Sequence, residues 1–318
     1  MQIVYKTDWN IVTTVAVYVV VISLAIACVP IYGHYLIGKL VIMGMATIGV
    51  QFLYVRCGEL SFGHGLFFGV GAYTYALWGG TTSPIGLLFL LILSAVASAT
   101  IAALLGFVIY RIRGVYFTLA TVCAAEGARI LFAGLYSLTN GDNGIQGIPV
   151  PGIMNATTAA AVSIVIISAL VLLGIRLAAD TMWGRRVDAQ RQSEHKATAL
   201  GLNVLSLRWQ SLVFSSIPTG LAGGLLAMFE RSVHPDVFGW RSSGELIAMM
   251  LLGGCQSAGG PFLGAAVLDA GKSLIASQWE HWQLVVGLVL LTCAIFWPQG
   301  ITGQLSKIFQ RFGKRGHA

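Results

Sequence analysis

Residues 84–110 have the sequence PIGLLFLLILSAVASATIAALLGFVIY and contain no charged side chain. A helix needs about 20 predominantly apolar residues to cross a hydrocarbon layer of roughly 30 Å, so this stretch is long enough to span a membrane. The sequence therefore predicts an all-α, polytopic membrane bundle of about ten transmembrane helices. The predicted spans lie near residues 10–32, 34–55, 62–79, 84–110, 115–137, 157–178, 205–229, 244–258, 261–278 and 282–298. The region 244–278 fits either two full spans or one span and a broken helix.

Composition indicates the same class of protein. Hydrophobic residues make up 56% of the chain and charged residues 10%, whereas soluble domains carry about 25% charged residues. Residues 1–318 are therefore predicted to form a single transmembrane domain, with no room for a soluble catalytic domain. The first span is predicted to remain in the mature protein. The five cysteines show no CxxC spacing and no cluster with histidine, so neither a disulfide framework nor a metal site is predicted.

The basic residues predict an orientation. If the spans alternate in direction, about 14 of the 19 Lys and Arg residues lie on one side of the membrane, which marks the cytoplasmic side. Both termini, including a basic tail at 303–318, are then cytoplasmic. The net charge of +7 follows from this topology, and no nucleic-acid partner is predicted.

One long hydrophilic segment interrupts the apolar chain: residues 184–203, GRRVDAQRQSEHKATALGLN. Its Ala, Gln, Glu, Lys and Arg residues favour a helix, and Gly201 followed by Asn203 predicts where that helix stops. We therefore expect a short amphipathic helix on the cytoplasmic face. The alternative is an ordinary charged loop.

Glycine spacing predicts close helix packing at three places: Gly65 with Gly69, Gly220 with Gly224, and Gly260 with Gly264. Small residues four apart allow helix backbones to approach each other inside a membrane.

Residues 58–65, GELSFGHG, place polar and glycine residues where a span should begin. Irregular backbone at membrane depth is tolerated only inside protein or beside a wet cavity, and transporters build binding sites from interrupted helices. Glu59, Ser61, Gly63 and His64 are therefore candidates for a translocation path. The alternative is a cytoplasmic turn in which His64 caps a helix.

Two pairs of opposite charge occur within apolar segments at a spacing of three residues: Glu126 with Arg129, and Asp269 with Lys272. Charges within a bilayer are costly and usually face a partner or water. We expect each pair to neutralise itself on one helix face. The alternative for Glu126 and Arg129 is a polar lining of the translocation path.

No catalytic residues are predicted. The segment 266–273 approaches a phosphate-binding P-loop, but it lies in an apolar span without the strand and fold that a P-loop requires. The cluster of Glu59, Ser61 and His64 lacks the geometry of a catalytic triad. The chain is therefore not expected to hydrolyse ATP.

Five segments, in order, resemble the permease subunits of bacterial branched-chain amino-acid ABC transporters. These segments are GELSFGHGLFFGVGAYTYAL (58–77), RIRGVYFTLATVCAAEGARILF (111–132), TNGDNGIQGIP (139–149), GRRVDAQRQSEHKATALGLNVLSLRWQSLVFSSIPTGLAGGL (184–225) and SGELIAMMLLGGCQSAGGPFLGAAV (243–267). The resemblance implies a location in the bacterial inner membrane. It also implies a second homologous permease, two ATPase subunits and a periplasmic or surface-anchored binding protein as partners.

The resemblance also implies roles for two segments. The 184–203 segment would be the coupling helix that contacts an ATPase, through Arg185, Arg186, Glu194, Ala197 and Gly201, although His195 and Lys196 depart from the family pattern. The external loop, residues 139–152, would face the binding protein through Asn143, Gly144, Gln146 and Gly147. ATP and Mg²⁺ would bind the ATPase subunits, and this chain would carry no cofactor or metal.

The resemblance leaves the substrate open, because the family also contains permeases for urea and short-chain amides. A stand-alone channel or secondary transporter is a competing interpretation, as is a membrane-bound enzyme. Either would work without ATPase subunits.

Overall fold

A computed structural model describes residues 31–152, 157–276 and 300–304, together with residues 284, 287, 288, 291 and 292. Within this part of the chain nearly all regular structure is helical, and the β-structure consists of one pair of two-residue strands. The all-α prediction is therefore confirmed for the described residues.

Residues 31–152 contain five helices. These elements are α1 (Ile31–Phe52) with a π-helical turn (Leu53–Cys57), α2 (His64–Leu77), α3 (Pro84–Ile109), α4 (Gly114–Gly134), the single turn α5 (Tyr136–Thr139), a 3-10 turn (Gly141–Asn143) and strand β1 (Ile145–Gln146). Residues 157–276 contain six further helices. These elements are α6 (Thr157–Asp180), α7 (Met182–Gln192), α8 (Glu194–Ala199), α9 (Val204–Glu230), strand β2 (Ser232–Val233), a 3-10 turn (Pro235–Phe238), α10 (Trp240–Gly253) and α11 (Gly260–Ala276).

Five of the described helices are long and apolar enough to cross a membrane. They cover Gly33–Cys57, Pro84–Ile109, Gly114–Gly134, Ala160–Asp180 and Val204–Glu230. These helices confirm the predicted spans at 34–55, 84–110, 115–137, 157–178 and 205–229.

Two further predicted spans, 62–79 and 244–258, form helices of 14 residues each, shorter than a full span. The predicted span at 261–278 is helical over Gly260–Ala276, and residues 277 and 278 lie outside the described residues. Helix α2 begins only at His64. Helix α10 ends at Gly253, because the next residue, Gly254, has a φ of +104° that a right-handed helix does not accommodate. The spans at 10–32 and 282–298 lie almost entirely outside the described residues, so a total of about ten stays a prediction.

Helix α9 lies at the centre of the bundle and packs against α1, α2 and α3. Glycines allow its backbone to touch that of α2: a methyl group on Gly71 would lie 2.0 Å from the carbonyl oxygen of Gly220, and one on Gly223 would lie 1.9 Å from that of Phe68. Helices α10 and α11 approach equally closely, because a methyl group on Gly264 would lie 1.7 Å from the Met249 oxygen. The predicted role of glycines in helix packing is confirmed.

We expect Gly71→Ala to destabilise the protein by at least about 1–3 kcal/mol, because the added methyl group has no space between α2 and α9. The measurement is the thermal unfolding midpoint of the purified protein in detergent. Gly174→Ala in α6 is the control, since a methyl group there meets no atom within 4 Å. Equal midpoints for the two variants would contradict the packing described here.

Candidate functional site

The segment between α1 and α2 is an interruption in the helical backbone. Helix α1 ends in the π-helical turn Leu53–Cys57, Gly58 adopts a left-handed conformation with φ of +81°, and α2 does not begin until His64. Irregular backbone therefore occupies residues 58–63 of the predicted segment 58–65, while residues 64 and 65 are already helical. The backbone groups of this interruption need partners other than helical ones.

Two threonines on α4 supply some of those partners. The Thr118 hydroxyl donates to the carbonyl oxygen of Leu60 at 2.8 Å, and the Phe62 N–H donates to the Thr121 hydroxyl at 3.1 Å. These bonds fix the middle of the interruption to α4.

Ser243, on the first turn of α10, holds the other end of the interruption. Its hydroxyl donates to the carbonyl oxygen of Phe62 and accepts the Gly65 N–H at 2.8 Å. The first turns of the short helices α2 and α10 therefore lie side by side. Such a meeting of short helices is the arrangement from which transporters build sites.

His64 is fully buried at the first position of α2, with its ring edge against Phe67 at a centroid distance of 5.6 Å. Neither ring nitrogen has a hydrogen bond of good geometry to the described part of the chain, and the backbone of Ser61 and Gly49 faces the ring. The residue that supports the backbone here is Ser61, whose hydroxyl accepts the Gly63 N–H at 3.1 Å. His64 therefore does not cap the helix, contrary to the alternative drawn from the sequence.

Glu59 forms a buried ion pair with Arg208, near the start of α9. The two side chains are 14% and 8% exposed, and Arg208 also donates to the carbonyl oxygen of Ile112 at 3.0 Å. In the sequence, Arg208 stands out only as one of the basic residues near the end of a predicted span. The one available signal was its position in the second turn of an apolar helix, which implies a partner.

The six path candidates fall in two places. Glu59, Ser61 and Gly63 lie in the interruption, with His64 directly after it at the start of α2, whereas Glu126 and Arg129 lie further along α4. The structure does not bring the six residues into one cluster.

The Glu126–Arg129 pairing is confirmed, with 2.7 Å between the Arg129 Nε and a Glu126 oxygen. The other Glu126 oxygen accepts the Trp240 N–H at 3.0 Å, which stabilises the N-terminus of α10. The pairing predicted for Asp269 and Lys272 is wrong, because the Lys272 ammonium pairs with Glu245 at 2.7 Å. Helices α10 and α11 pack together, and that contact brings a closer carboxylate to Lys272.

The 184–203 segment forms two short helices, α7 and α8, where one was predicted. The break is at Ser193, whose extended backbone ends α7 and whose hydroxyl caps α8 by accepting the Lys196 N–H at 3.4 Å. Gly201 stops α8 with φ of +79°, as predicted. Asn203 instead caps the next helix, since its side chain accepts the Ser206 N–H at 3.1 Å.

Side chains hold this two-helix segment against the ends of α1 and α4. Asp188 forms an ion pair with Arg56, and Glu194 forms one with Arg113. Burial raises the pKa of the Asp188 carboxyl above its ordinary value, while the positive charge of Arg56 opposes the rise. These contacts place Arg56, Arg113 and the segment on one side, as the distribution of basic residues predicts. The N-terminus and most of the basic tail lie outside the described residues.

Arg191 and Gln190 add two contacts from the same segment. The Arg191 guanidinium donates to the carbonyl oxygen of Val55, and the Gln190 amide lies 3.5 Å from the Cys57 sulfur. Both contacts reach the π-helical turn that precedes the interruption.

The five residues predicted to contact an ATPase differ in exposure. Arg185, Arg186 and Gly201 are exposed, whereas Ala197 is buried and Glu194 is half-buried against Arg113. Leu200, which the sequence did not single out, is 78% exposed beside Gly201.

The predicted external loop contains β1, which pairs with β2 in antiparallel register, Ile145 opposite Val233. Asn143, Gln146 and Gly147 are exposed. Gly144 is buried against β2, where an added methyl group would lie 2.1 Å from the Val233 oxygen.

This loop and the two-helix segment lie at opposite ends of α9. The segment precedes Val204, and β2 follows Glu230 directly. A helix of 27 residues separates them by roughly 40 Å, about the thickness of a bilayer with its headgroups.

Comparison with known proteins decides the family. A family model described as "Branched-chain amino acid transport system / permease component" matches residues 34–294. The chain belongs to this family. This permease is 27% identical over 281 residues to the high-affinity branched-chain amino acid transport system permease protein LivM of Salmonella typhimurium, and 28% identical over 284 residues to LivM of Escherichia coli.

Each LivM match covers 80% of the permease and 66% of the relative, so the chain spans about two thirds of the length of those proteins. The permease is also 28% identical over 149 residues to a probable branched-chain amino acid transport permease protein LivH of Methanocaldococcus jannaschii, which covers 42% of the chain and 45% of that relative. No solved structure gives a significant match. Family membership and the apolar helices together identify a multi-pass membrane transport component.

Removal of Arg208 should destabilise the permease by about 3–5 kcal/mol, because Glu59 would be left as an unpaired buried charge. The variant is Arg208→Met, and the measurement is thermal or denaturant unfolding in detergent. Arg113→Gln breaks a pair in which the side chains are 53% and 34% exposed, so it should cost no more than about 1 kcal/mol. Comparable losses in the two variants would refute the distinction between the two pairs.

Proposed function

We propose that this chain is the membrane-spanning permease subunit of an ATP-driven importer of branched-chain amino acids in a bacterial inner membrane. The observation that carries the proposal is the family match over residues 34–294. The geometry supports it, because a charged two-helix segment and a structured loop occupy opposite ends of the bundle. Two LivM relatives, named for branched-chain amino acid transport, favour these substrates over urea and short-chain amides.

The proposed partners are those of an ABC importer: two ATPase subunits, a substrate-binding protein and a second, homologous permease. Similarity to both LivM and LivH, two differently named permease proteins, supports pairing with a related chain. ATP with Mg²⁺ would bind the ATPase subunits. This chain would perform no covalent chemistry and would supply part of the path and one mechanical contact.

The ATPase-docking surface consists of four exposed residues of the two-helix segment, namely Arg185, Arg186, Leu200 and Gly201. An exposed apolar side chain in a segment that also exposes basic residues fits an interface with an apolar centre and a charged rim. Glu194 and Ala197 act on the inner face, where they hold the segment to the bundle.

ATP binding to the ATPases would supply the differential energy that alternating access requires. The contacts of the segment define where that energy enters the bundle. Asp188 and Arg191 connect the segment to the turn before the interruption, and Glu194 connects it to the start of α4. Movement of the segment would therefore displace the π-helical turn and the start of α4, the two elements next to Ser61 and His64.

At the other end, the exposed residues Asn143, Gln146 and Gly147 form the proposed contact with the binding protein. Gly144 packs against β2, and this contact fixes the position of the loop that carries the three exposed residues.

We expect Leu200→Glu and Arg186→Glu each to lower ATP-dependent uptake by about tenfold or more, the effect of losing roughly 1.4 kcal/mol of binding. Both side chains are exposed, so insertion and unfolding midpoint should stay unchanged. The measurements are uptake into proteoliposomes of the whole transporter and co-purification of the ATPase.

Arg111→Gln is the control for these variants, because Arg111 is an exposed cation on the same side but outside the segment. Its uptake should match that of the unaltered permease. Full uptake and full recovery of the ATPase with both Leu200→Glu and Arg186→Glu would exclude this docking surface.

Sidedness can be measured separately. In a cysteine-free background, we expect Gln146→Cys to react with a membrane-impermeant maleimide on intact cells, and Thr198→Cys to react only after permeabilisation, since both positions are exposed at opposite ends of α9. Labelling of Thr198→Cys on intact cells would overturn the proposed function.

A further inference from the structure

The long helices differ in the side chains that they expose. The large exposed residues of α3 and, between Ala160 and Ile175, of α6 are apolar, as a lipid-facing surface requires. On α3 they are Ile85, Leu88, Phe89, Ile92, Val96, Leu104, Phe107 and Val108, and on α6 they are Val162, Ile166 and Leu170.

The large exposed residues of α4, such as Leu119, Ile130 and Leu131, are also apolar, but a charged pair lies beside them. We define the α4 face as Leu119, Cys123, Gly127 and Ile130, all exposed, with the half-buried Glu126–Arg129 pair beside them. Only 17% of the residues in the apolar stretch of α4 are buried within the chain, compared with 72% for α9.

Glu126 and Arg129 lie well inside the length of α4, away from its first turn. Glu126 follows Gly114 by 12 residues, which places it roughly 18 Å along the helix axis from the end beside the two-helix segment. Its side chain and that of Arg129 are 26% and 36% exposed. Charged groups within a hydrocarbon layer face protein or water and avoid lipid. Within its own chain the pair is bonded to the Trp240 N–H and lies 3.9 Å from Asp236, and the part of the two side chains that stays exposed requires contact with further protein or water.

The shape and charge of the face fit another transmembrane helix. A methyl group added to Gly127 would meet no atom within 4 Å, and Cys123 lies one turn earlier, so a neighbouring helix has room to approach closely. The face carries one acid and one base, so polar groups of a neighbouring transmembrane helix could pair with the exposed parts of both.

We infer that the α4 face contacts the second permease of the transporter. This inference rests on the proposed function, which supplies that second chain. The ATPases and the binding protein are assigned to the two ends of the bundle, whereas the α4 face lies between those ends. A partner embedded in the membrane is the occupant that fits this level.

The test compares two glycines with equally open surroundings. Gly127→Trp on the α4 face should reduce the amount of second permease that co-purifies with this chain by about tenfold or more, because the indole fills the space of the partner helix. Gly174→Trp on α6, where an added methyl group also meets no atom within 4 Å, should leave co-purification unchanged. Unfolding midpoints of the isolated chain should be alike for both variants.

A second measurement uses Cys123, which is exposed on the α4 face. With the other four cysteines replaced, the assembled transporter carries one further cysteine in the helix of the second permease that corresponds to α4. Oxidation in membranes should join the two permeases. The matched variant Val96→Cys, on α3 with Cys123 replaced by serine, should give no such product.

The outcomes separate the inference from the proposed function. If no second permease co-purifies with the unaltered chain and no ATP-dependent uptake is found, the proposed function fails. If the transporter assembles and works but Gly127→Trp assembles normally, or Val96→Cys cross-links while Cys123 does not, the α4 face is the wrong surface. In the chain that keeps its other cysteines, oxidation that joins Cys123 to Cys28 or Cys293 of the same chain would also overturn the inference.

Discussion

The requirement that backbone groups inside a bilayer find hydrogen-bond partners within the protein governs the centre of this structure. Residues 58–63 break the helical pattern between α1 and α2, so their backbone groups lack helical hydrogen-bond partners. Thr118, Thr121 and Ser243 supply partners from α4 and α10. An interruption in one helix therefore fixes the positions of two others.

The ionic contacts at the end of the bundle that carries the two-helix segment lie close to this irregular backbone. Glu59, in the interruption, pairs with Arg208 at the start of α9. The turn just before the interruption receives Arg191 and carries Arg56, which pairs with Asp188. The segment proposed to contact an ATPase is thus bonded to residues within a few positions of the irregular backbone. Displacement of one should change the hydrogen bonds of the other.

The sequence predicted what depends on local composition. Hydropathy located α3 to within one residue of its end, and Gly201 marked the end of α8 because only glycine adopts φ of +79° without strain. Contacts between distant residues escaped it. Glu59 and Arg208 are 149 positions apart, and Lys272 selects Glu245 over the nearby Asp269 because α10 packs on α11. The break at Ser193 was missed because strong helix formers surround it.

Helix α4 shows how these parts can act together. It touches the two-helix segment through Arg113, the interruption through Thr118 and Thr121, and the start of α10 through Glu126. These are side-chain contacts of a helix that is largely exposed within its own chain. Helices α2 and α9, by contrast, meet backbone to backbone through glycines, with no space for relative movement. Hydrogen bonds and ion pairs can exchange partners at lower cost than interlocked backbones can separate. A movement of the two-helix segment is therefore more easily accommodated at α4 than at the α2–α9 contact.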